Sequence, residues 1–330
     1  MRVKLDFSQA KDYNLTMFLD VLIFIAGLLL LYYGAEYLVS GSSRLALSFG
    51  IRPLIIGMTV VAFATSMPEM MVSLFAAFKG SSDIAAGNIV GSNIANIGLI
   101  LGVAAMLTPI AVASRTLRRE FPFMLGASVL LYLLILDRDL TFLDGFLLFV
   151  LLLGFLVYCF RTARDSDAAD PLPNATTVYE EKRHRTRDLL YIVFGIIGLG
   201  VGAELMVRSA VSIARSFGIS ELVIGVSIVA LGTSLPELAA SIMSAWKGEM
   251  DISIGNVIGS NIFNILFVLG VCPMIRPLTI EPSILSYQMP VMIVFSVGLV
   301  LLVYRNNGLG RPQGGMLLFA YLAFIASLFF

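Results

Sequence analysis

The chain has 330 residues, of which 58% are hydrophobic and only 13% are charged, and its mean hydropathy is +0.92. A soluble domain of this length cannot bury so much apolar surface, so we expect a lipid bilayer to surround much of the chain. The 22 basic and 22 acidic residues balance to a net charge of zero, and nothing indicates nucleic acid as a partner.

Apolar segments follow one another along the chain, each close to the roughly 20 residues that a helix needs to cross the hydrocarbon core. We identify ten, at 17–40, 52–78, 84–107, 120–136, 141–160, 189–213, 220–246, 252–272, 287–304 and 313–330. The first has no small-residue cleavage pattern after it, which predicts an uncleaved helix and not a signal peptide. Cys159 and Cys272, at the ends of apolar segments, are expected to be small unpaired filler. The prediction is an all-α polytopic membrane protein with ten transmembrane helices.

One long polar segment, 161–188, separates the fifth and sixth apolar segments and is predicted to be a solvated linker. It contains His184, the only histidine in the chain, so a buried imidazole metal site is not expected. If the segments cross the membrane alternately, 14 Lys and Arg residues lie on the side of the linker and 8 on the other side. The positive-inside rule then places the linker in the cytoplasm and both termini outside.

The chain contains an internal duplication. Residues 57–102 and 225–270 match at 23 of 46 positions without a gap, at a constant offset of 168, and the matches include polar residues that apolar composition does not explain. The same offset superposes the other segments of 1–160 on those of 189–330, which predicts two five-helix repeats. Because five is an odd number, the second repeat is inverted relative to the first. Inverted repeats are typical of secondary transporters that bind substrate near the membrane midplane, between interrupted helices.

Glu69 and Glu237 are at corresponding positions near the middle of the second and seventh segments. An ionisable residue inside a membrane costs at least ~2.5–3.5 kcal/mol on insertion scales, so it indicates a functional site. Pro68 and Pro236 stand directly before them and free a backbone carbonyl in the preceding turn. Hydroxyl groups three and four residues before each glutamate share its helical face. They belong to Thr65, Ser66, Thr233 and Ser234.

The third and eighth segments add polar stripes at a spacing of four residues. These are Asn88, Ser92 and Asn96, and Asn256, Ser260 and Asn264. Oxygen donors with two carboxylates, and no thiolate or imidazole cluster, suit hard cations such as Ca²⁺ and also Na⁺. A single Ser or Asn would indicate only helix packing, whereas duplicated Pro-Glu pairs with flanking hydroxyls indicate binding. For Glu36 and Glu204, near helix ends, helix packing and the lining of an access path both remain open.

The motifs TSMPEMMVS with GNIVGSNIANI, and GTSLPELAAS with GNVIGSNIFNI, resemble the two α-repeats of the calcium:cation antiporter superfamily, and within it prokaryotic sodium/calcium exchangers. The resemblance covers nearly the whole chain. It implies an antiporter of the cell (inner) membrane, not an enzyme, with Ca²⁺ and Na⁺ as transported substrates and no cofactor. It also implies that the first and sixth helices slide against the other eight.

Carried over position by position, the resemblance implies a set of oxygen ligands. They are Thr65, Ser66, Glu69, Ser92, Asn96, Thr233, Ser234, Glu237, Ser260 and the carbonyls of Ala62 and Ala230. Asn264 occupies the position where some family members carry an aspartate associated with potassium dependence, so we do not expect that dependence here. We include Asn264 in the candidate site for its amide oxygen.

Other functions remain as alternatives. Exchange of Ca²⁺, or another divalent cation, for protons would use the same residues. A cation channel is a more remote alternative, because interrupted inverted repeats favour alternating access. An intramembrane hydrolase lacks a HExxH motif and a buried histidine. Beyond the lipid bilayer and the transported cations, the sequence identifies no partner.

Overall fold

The computed structural model describes residues 7–163, 185–217 and 230–328, and these residues are helical almost throughout. Most of the predicted linker and the beginning of the seventh apolar segment lie outside the described residues. The α-helices are α1 (Phe7–Phe49), α2 (Pro53–Ile56), α3 (Ala62–Thr65), α4 (Met67–Lys79), α5 (Ser82–Ala95), α6 (Gly102–Leu107), α7 (Ser114–Leu134), α8 (Phe142–Thr162), α9 (Arg185–Ser216), α10 (Ala230–Thr233), α11 (Leu235–Lys247), α12 (Met250–Phe263), α13 (Leu269–Ile275), α14 (Met289–Asn306) and α15 (Arg311–Ser327).

Short elements of other types connect these helices. π-Helical turns occupy Gly57–Val61, Asn96–Leu101, Asn264–Val268 and Ile284–Gln288, and a 3₁₀ turn occupies Ile135–Asp137. The strands are β1 (Ile110–Ala111), β2 (Asp139–Leu140), β3 (Leu278–Thr279) and β4 (Gly308–Leu309). β1 pairs with β4 and β2 pairs with β3, both antiparallel. Each pair therefore ties a loop of the first half of the chain to a loop of the second half.

Seven helical stretches of the described residues are long and apolar enough to cross a membrane. They are Met17–Phe49, Ser82–Leu107, Ser114–Asp137, Phe142–Thr162, Arg185–Ser216, Met250–Ile275 and Ile284–Asn306. Pro53–Thr65 and Met67–Lys79 together form an eighth, bent by 44° where they meet. The protein is thus a multi-pass, all-helical membrane protein. The predicted ten crossings are matched only in part. The described helices α11 and α15, with 13 and 17 residues, are shorter than the 18 residues taken here as the minimum for a membrane-crossing helix.

The sequence offset of 168 recurs in the bounds of the helices. α4 begins at Met67 and α11 at Leu235, and both helices have 13 residues. α5 and α12 likewise begin 168 residues apart and have 14 residues each. A π-helical turn follows each of these two, beginning at Asn96 and at Asn264. Corresponding sequences therefore fold into corresponding elements, including the local widening of the helix.

Helices α1 and α9 pack closely along their length. A Cβ atom on Gly195 of α9 would lie 2.5 Å from the backbone nitrogen of Leu38, and one on Gly34 of α1 would lie 2.7 Å from that of Leu199. Small residues permit such close backbone approach between membrane helices. Buried apolar residues of this pair, among them Leu38, Leu199 and Ile192, form a second core cluster together with residues of α2, α11 and α12 that pack against it, apart from the larger cluster.

Polar contacts between helix ends lie at two opposite ends of the bundle. At one end, ion pairs join Arg44 to Asp188, Arg52 to Glu120 and Lys247 to Glu36, at 2.8, 3.8 and 3.3 Å. At the other end, Arg276 donates to the carbonyl of Phe78 at 3.2 Å, and β2 pairs with β3. We call the first the basic end. Glu36 thus contacts a lysine at the basic end, whereas Glu204 pairs with Arg208 one turn along the same helix.

Candidate cation-binding site

A break in each of two helices places a glutamate at a helix start. Ser66 separates α3 from α4, and Pro68 and Glu69 are the second and third residues of α4. Proline is well tolerated in a first turn because its missing N–H would have no partner there. The N-terminal end of a helix carries a partial positive charge that favours an anionic side chain. Ser234 separates α10 from α11 in the same way, and Glu237 is the third residue of α11.

The two glutamate side chains are buried, with exposed fractions of 0% for Glu69 and 1% for Glu237. Each receives a hydroxyl from the opposite half of the chain: Ser234 donates to Glu69 Oε1 at 3.2 Å, and Ser66 donates to Glu237 Oε1 at 3.4 Å. Ser92 also donates to Glu69 Oε1, at 3.5 Å. The ion pairs found among the described residues involve neither glutamate. The site therefore concentrates buried acidic groups without a basic side chain to neutralise them.

Four buried side-chain oxygens of the predicted ligands have no hydrogen-bond donor among the described residues. They are Glu69 Oε2, Glu237 Oε2, Asn96 Oδ1 and Asn264 Oδ1. Buried polar atoms are usually satisfied, so a cluster of unsatisfied acceptors indicates a place for a ligand. Carboxylate and amide oxygens accept but do not donate in this orientation, and a desolvated hard cation is the complementary partner.

The predicted hydroxyl ligands line the same space. Thr65 Oγ1 lies 3.1 Å from Asn256 Oδ1 and 3.4 Å from Ser260 Oγ. Ser234 also contacts Ser92, at 3.5 Å. Ser66, Ser92 and Ser234 thus contact the glutamates directly, and Thr65 contacts Ser260 of the other half. Asn96, Thr233 and Asn264 are buried as well.

The carbonyl groups of Ala62 and Ala230 are the remaining predicted ligands. The carbonyl of Ala62 accepts the Ser66 N–H at 3.0 Å and the Thr65 hydroxyl at 3.4 Å. It would therefore contact a cation only by giving up the longer of these, the contact with Thr65. Ala230 is the first residue of α10.

The described residues do not form a binding site for a soft metal ion. No group of three or more His, Cys, Asp or Glu side chains comes together there in a way that could hold a metal ion. Cys159 and Cys272 are buried, unpaired thiols, as predicted. His184 lies outside the described residues. The donors at the site are hard oxygens, which suit Ca²⁺ or Na⁺ better than transition metals.

Both halves of the chain match one known protein family. The profile of the family described as sodium/calcium exchanger protein matches residues 19–161 and again residues 188–330. The chain belongs to the sodium/calcium exchanger family. The family resemblance predicted from the duplicated motifs is thereby confirmed.

Relatives of this exchanger match it over nearly their whole length. The inner membrane protein YrbG of Escherichia coli is 40% identical, over 95% of this chain and 98% of its own. The sodium/calcium exchanger MaX1 of Methanosarcina acetivorans is 32% identical, over 94% and 99%. A structure of the sodium-calcium exchanger NCX_Mj, soaked with 2.5 mM Na⁺ and 0.1 mM Ca²⁺, superposes with a TM-score of 0.82 at 35% identity, over 94% of this chain and 98% of that one. The fold described above is thus that of a known exchanger.

Sequence reasoning missed some polar residues that support the exchanger's site. Asn88 and Asn256 were predicted as part of polar stripes, but not their partners Ser73 and Ser241, whose hydroxyls accept from them at 3.0 and 3.1 Å. Asn96 donates to Asn261 Oδ1 at 2.9 Å, and Asn264 donates to Asn93 Oδ1 at 3.1 Å. The available signal was the repeated Gly-Ser-Asn-Ile at 91–94 and 259–262, where only the serines had been assigned a role.

Proposed function

We propose that this exchanger moves Ca²⁺ and Na⁺ in opposite directions across the membrane, and that both ions use the space between Glu69 and Glu237. The observation that carries the proposal is the set of four buried, donor-free oxygens, two from carboxylates and two from amides. Two carboxylates supply two negative charges, which match one Ca²⁺. The function named for MaX1, sodium/calcium exchange, supports the same conclusion.

The coordination that Ca²⁺ prefers, six to eight oxygens, exceeds what the carboxylates offer alone. The hydroxyl, amide and carbonyl oxygens around them supply the remainder in the proposed site. These ligands are Thr65, Ser66, Ser92, Asn96, Thr233, Ser234, Ser260 and Asn264, with the carbonyls of Ala62 and Ala230. Na⁺ takes subsets of the same oxygens, so the two ions compete for one site.

Electrostatic repulsion between the glutamates couples ion binding to transport. Two unit charges about 4 Å apart repel by about 4 kcal/mol at an effective dielectric constant near 20. If both glutamates are ionised and no cation is bound, their repulsion would therefore disfavour a closed, water-poor conformation. A bound Ca²⁺, or several Na⁺, relieves the repulsion and permits the protein to close and reopen on the other side.

The proposed architecture is two inverted repeats of five membrane crossings, 1–160 and 189–330, joined by a cytoplasmic linker. The helix bounds that recur at the offset of 168 support it. The basic end, with Arg44, Arg52 and Lys247, would face the cytoplasm, and both termini would lie outside.

The proposed movement is a sliding of α1 and α9, as one unit, against the other helices. The close glycine-mediated packing of α1 on α9 supports this unit. Lys247 and Glu249, which belong to the other helices or adjoin them, contact Glu36 and Ser43 of α1 at the basic end. Sliding would break these contacts and open a path from that end.

Purified protein in proteoliposomes tests the function. We expect ⁴⁵Ca²⁺ uptake when Na⁺ is loaded inside and diluted outside, and no uptake when the Na⁺ gradient is absent. A relative at 26% identity is named a Ca²⁺/H⁺ antiporter, ChaA of Bacillus subtilis, so a matched arm imposes a pH gradient with Na⁺ absent. Uptake driven by the pH gradient and indifferent to Na⁺ would contradict the proposal and identify proton exchange. Uptake that needs neither gradient would identify a channel.

A further inference from the structure

The amide oxygens of Asn96 and Asn264 can face a cation only if something holds each amide in one of its two orientations. An asparagine side chain is nearly symmetric in shape, and a rotation of its amide group exchanges the oxygen acceptor for an NH₂ donor. An NH₂ group facing the site would repel Ca²⁺ and remove a ligand. The contacts that fix the orientation of each amide therefore contribute to cation selectivity. This inference rests on the proposed cation site.

Each of these amides donates to a second asparagine from the opposite half of the chain. Asn264 Nδ2 donates to Asn93 Oδ1 at 3.1 Å, and Asn96 Nδ2 donates to Asn261 Oδ1 at 2.9 Å. All four side chains are at most 2% exposed, so water does not compete for these bonds. The NH₂ groups are thus engaged by the second asparagines, and Oδ1 of Asn96 and of Asn264 are the atoms to which no described residue donates.

The second asparagines are themselves oriented by methionines. Asn93 Nδ2 lies 3.6 Å from the sulfur of Met292, and Asn261 Nδ2 lies 3.6 Å from that of Met124. Met124 and Met292 are 168 residues apart and fully buried. A thioether sulfur accepts a weak hydrogen bond and cannot donate one. It therefore favours an NH₂ group facing it, and the oxygen of the same amide then faces the first asparagine.

Two amides joined by a hydrogen bond can be arranged in two ways, with both NH₂ groups directed towards the methionine or both directed towards the cation site. The methionine and the cation both favour the first arrangement. The methionine end accepts only, and the cation end requires an oxygen. If both amides of one chain turned over, Met292 would face the oxygen of Asn93, and the NH₂ of Asn264 would face the site. If only one turned over, two NH₂ groups or two oxygens would meet. The observed polarity avoids each of these arrangements.

We infer that Asn93 and Asn261 are positioning residues for cation binding: through the chains Met292–Asn93–Asn264 and Met124–Asn261–Asn96, each fixes a ligand oxygen contributed by the opposite half of the molecule. Because each chain crosses between the halves, the site is complete only when the two halves are in register. The residues touch the ligands and not the ion.

Asn93→Leu tests the inference, since leucine has a similar volume but no acceptor for the Asn264 NH₂ group. We expect the Kd for Ca²⁺, measured by titration calorimetry on purified protein, to rise about tenfold, the scale of one lost hydrogen-bonding partner at the site. Asn261→Leu should have a similar effect through Asn96. Ser296→Ala is the matched control: among the described residues its buried hydroxyl donates only to the Met292 carbonyl, at 2.9 Å, and Kd should not change. If Asn93→Leu does not fold, Asn93→Ala removes the same acceptor without added bulk.

Rescue separates positioning from a merely structural role. A carboxylate presents an oxygen in either orientation, so Asn264→Asp should make binding independent of Asn93. We expect the Kd of the Asn93→Leu/Asn264→Asp double variant to lie within about threefold of that of Asn264→Asp alone. A further tenfold loss in the double variant would overturn the inference. So would an Asn93→Leu variant that melts earlier without Ca²⁺ but binds Ca²⁺ like the parent.

Glu69→Gln in the same calorimetric assay distinguishes this inference from the proposed site. If Glu69→Gln abolishes binding while Asn93→Leu changes nothing, the positioning role is wrong and the site stands. If Glu69→Gln binds Ca²⁺ like the parent, the site and the positioning role are both refuted.

Discussion

Replacing Glu69 or Glu237 by glutamine removes one buried negative charge and keeps the shape of the side chain. The glutamine oxygen of Glu69→Gln can still accept from Ser234, which now contacts Glu69 Oε1 at 3.2 Å. The NH₂ group takes the place of Oε2, the atom to which no described residue donates. The substitution therefore isolates the charge and the ligand oxygen from the packing of α4.

The expected loss of Ca²⁺ affinity follows from this charge. One pair of unit charges about 4 Å apart contributes about 4 kcal/mol at an effective dielectric constant near 20. Ca²⁺ carries two charges and binds carboxylates more closely, so this value is a lower bound, and it corresponds to a loss of about a thousandfold. Without Ca²⁺, the variant should be at least as stable as the parent, because a buried carboxylate with no basic partner is unfavourable.

Thermal unfolding of the purified protein with and without Ca²⁺ measures both effects, since a ligand that binds only the folded state raises Tm. Glu120→Gln is the matched control, because Glu120 is also fully buried but lies 3.8 Å from Arg52 and outside the site. It should lower Tm, by leaving Arg52 without its carboxylate, and keep the Ca²⁺-dependent rise. A Glu69→Gln or Glu237→Gln variant that keeps the parent's Ca²⁺-dependent rise in Tm would refute the assignment of the site.

Two further predictions concern movement and topology. In a background without native cysteines, cross-linking Ser43→Cys to Glu249→Cys, whose native side chains are hydrogen-bonded at 2.6 Å, should stop Ca²⁺ flux until a reductant is added. Cross-linking Asp20→Cys to Ser212→Cys, an equally close pair within the α1–α9 unit, should leave flux intact; equal effects of both cross-links would contradict the sliding unit. Ala175→Cys in the linker should react with an impermeant thiol reagent in inside-out vesicles only, and labelling of intact cells would reverse the proposed topology.

The sequence predicted Glu69 and Glu237 near the middle of membrane-crossing segments, each after a proline that disturbs a backbone hydrogen bond. The structure differs in that a new helix begins directly before each proline, so that each glutamate is the third residue of its helix. The family followed from the duplicated motifs and the multi-pass helical fold from the apolar segments, and both are confirmed. Most predicted segments agree with the observed helices to within a few residues, although α1, Phe7–Phe49, extends well beyond the predicted 17–40. Apolar composition marks the part of a helix in the membrane and not where the helix ends.

Other features depend on three-dimensional register that no local pattern encodes. The amide pairs of Asn93 with Asn264 and of Asn261 with Asn96 form because α5 crosses α12 at a particular height. The π-helical turns that begin at Asn96 and Asn264 have no local signal, since one extra residue in a turn is selected by packing. The contact of Glu36 with Lys247 joins residues 211 positions apart. No local pattern gave a signal for this contact, which joins two helices at the basic end.

The most direct test of the central claim is to locate the transported divalent ion in the protein itself. Crystals soaked with Sr²⁺ as an anomalously scattering substitute for Ca²⁺ should show a peak between Glu69 and Glu237, with Oε2 of both within about 2.3–2.6 Å, the distance range of Ca²⁺–oxygen bonds. The amide oxygens of Asn96 and Asn264 should face the same peak, and raising Na⁺ during the soak should diminish it. A Sr²⁺ peak elsewhere in the protein, with none between the glutamates, would contradict the account.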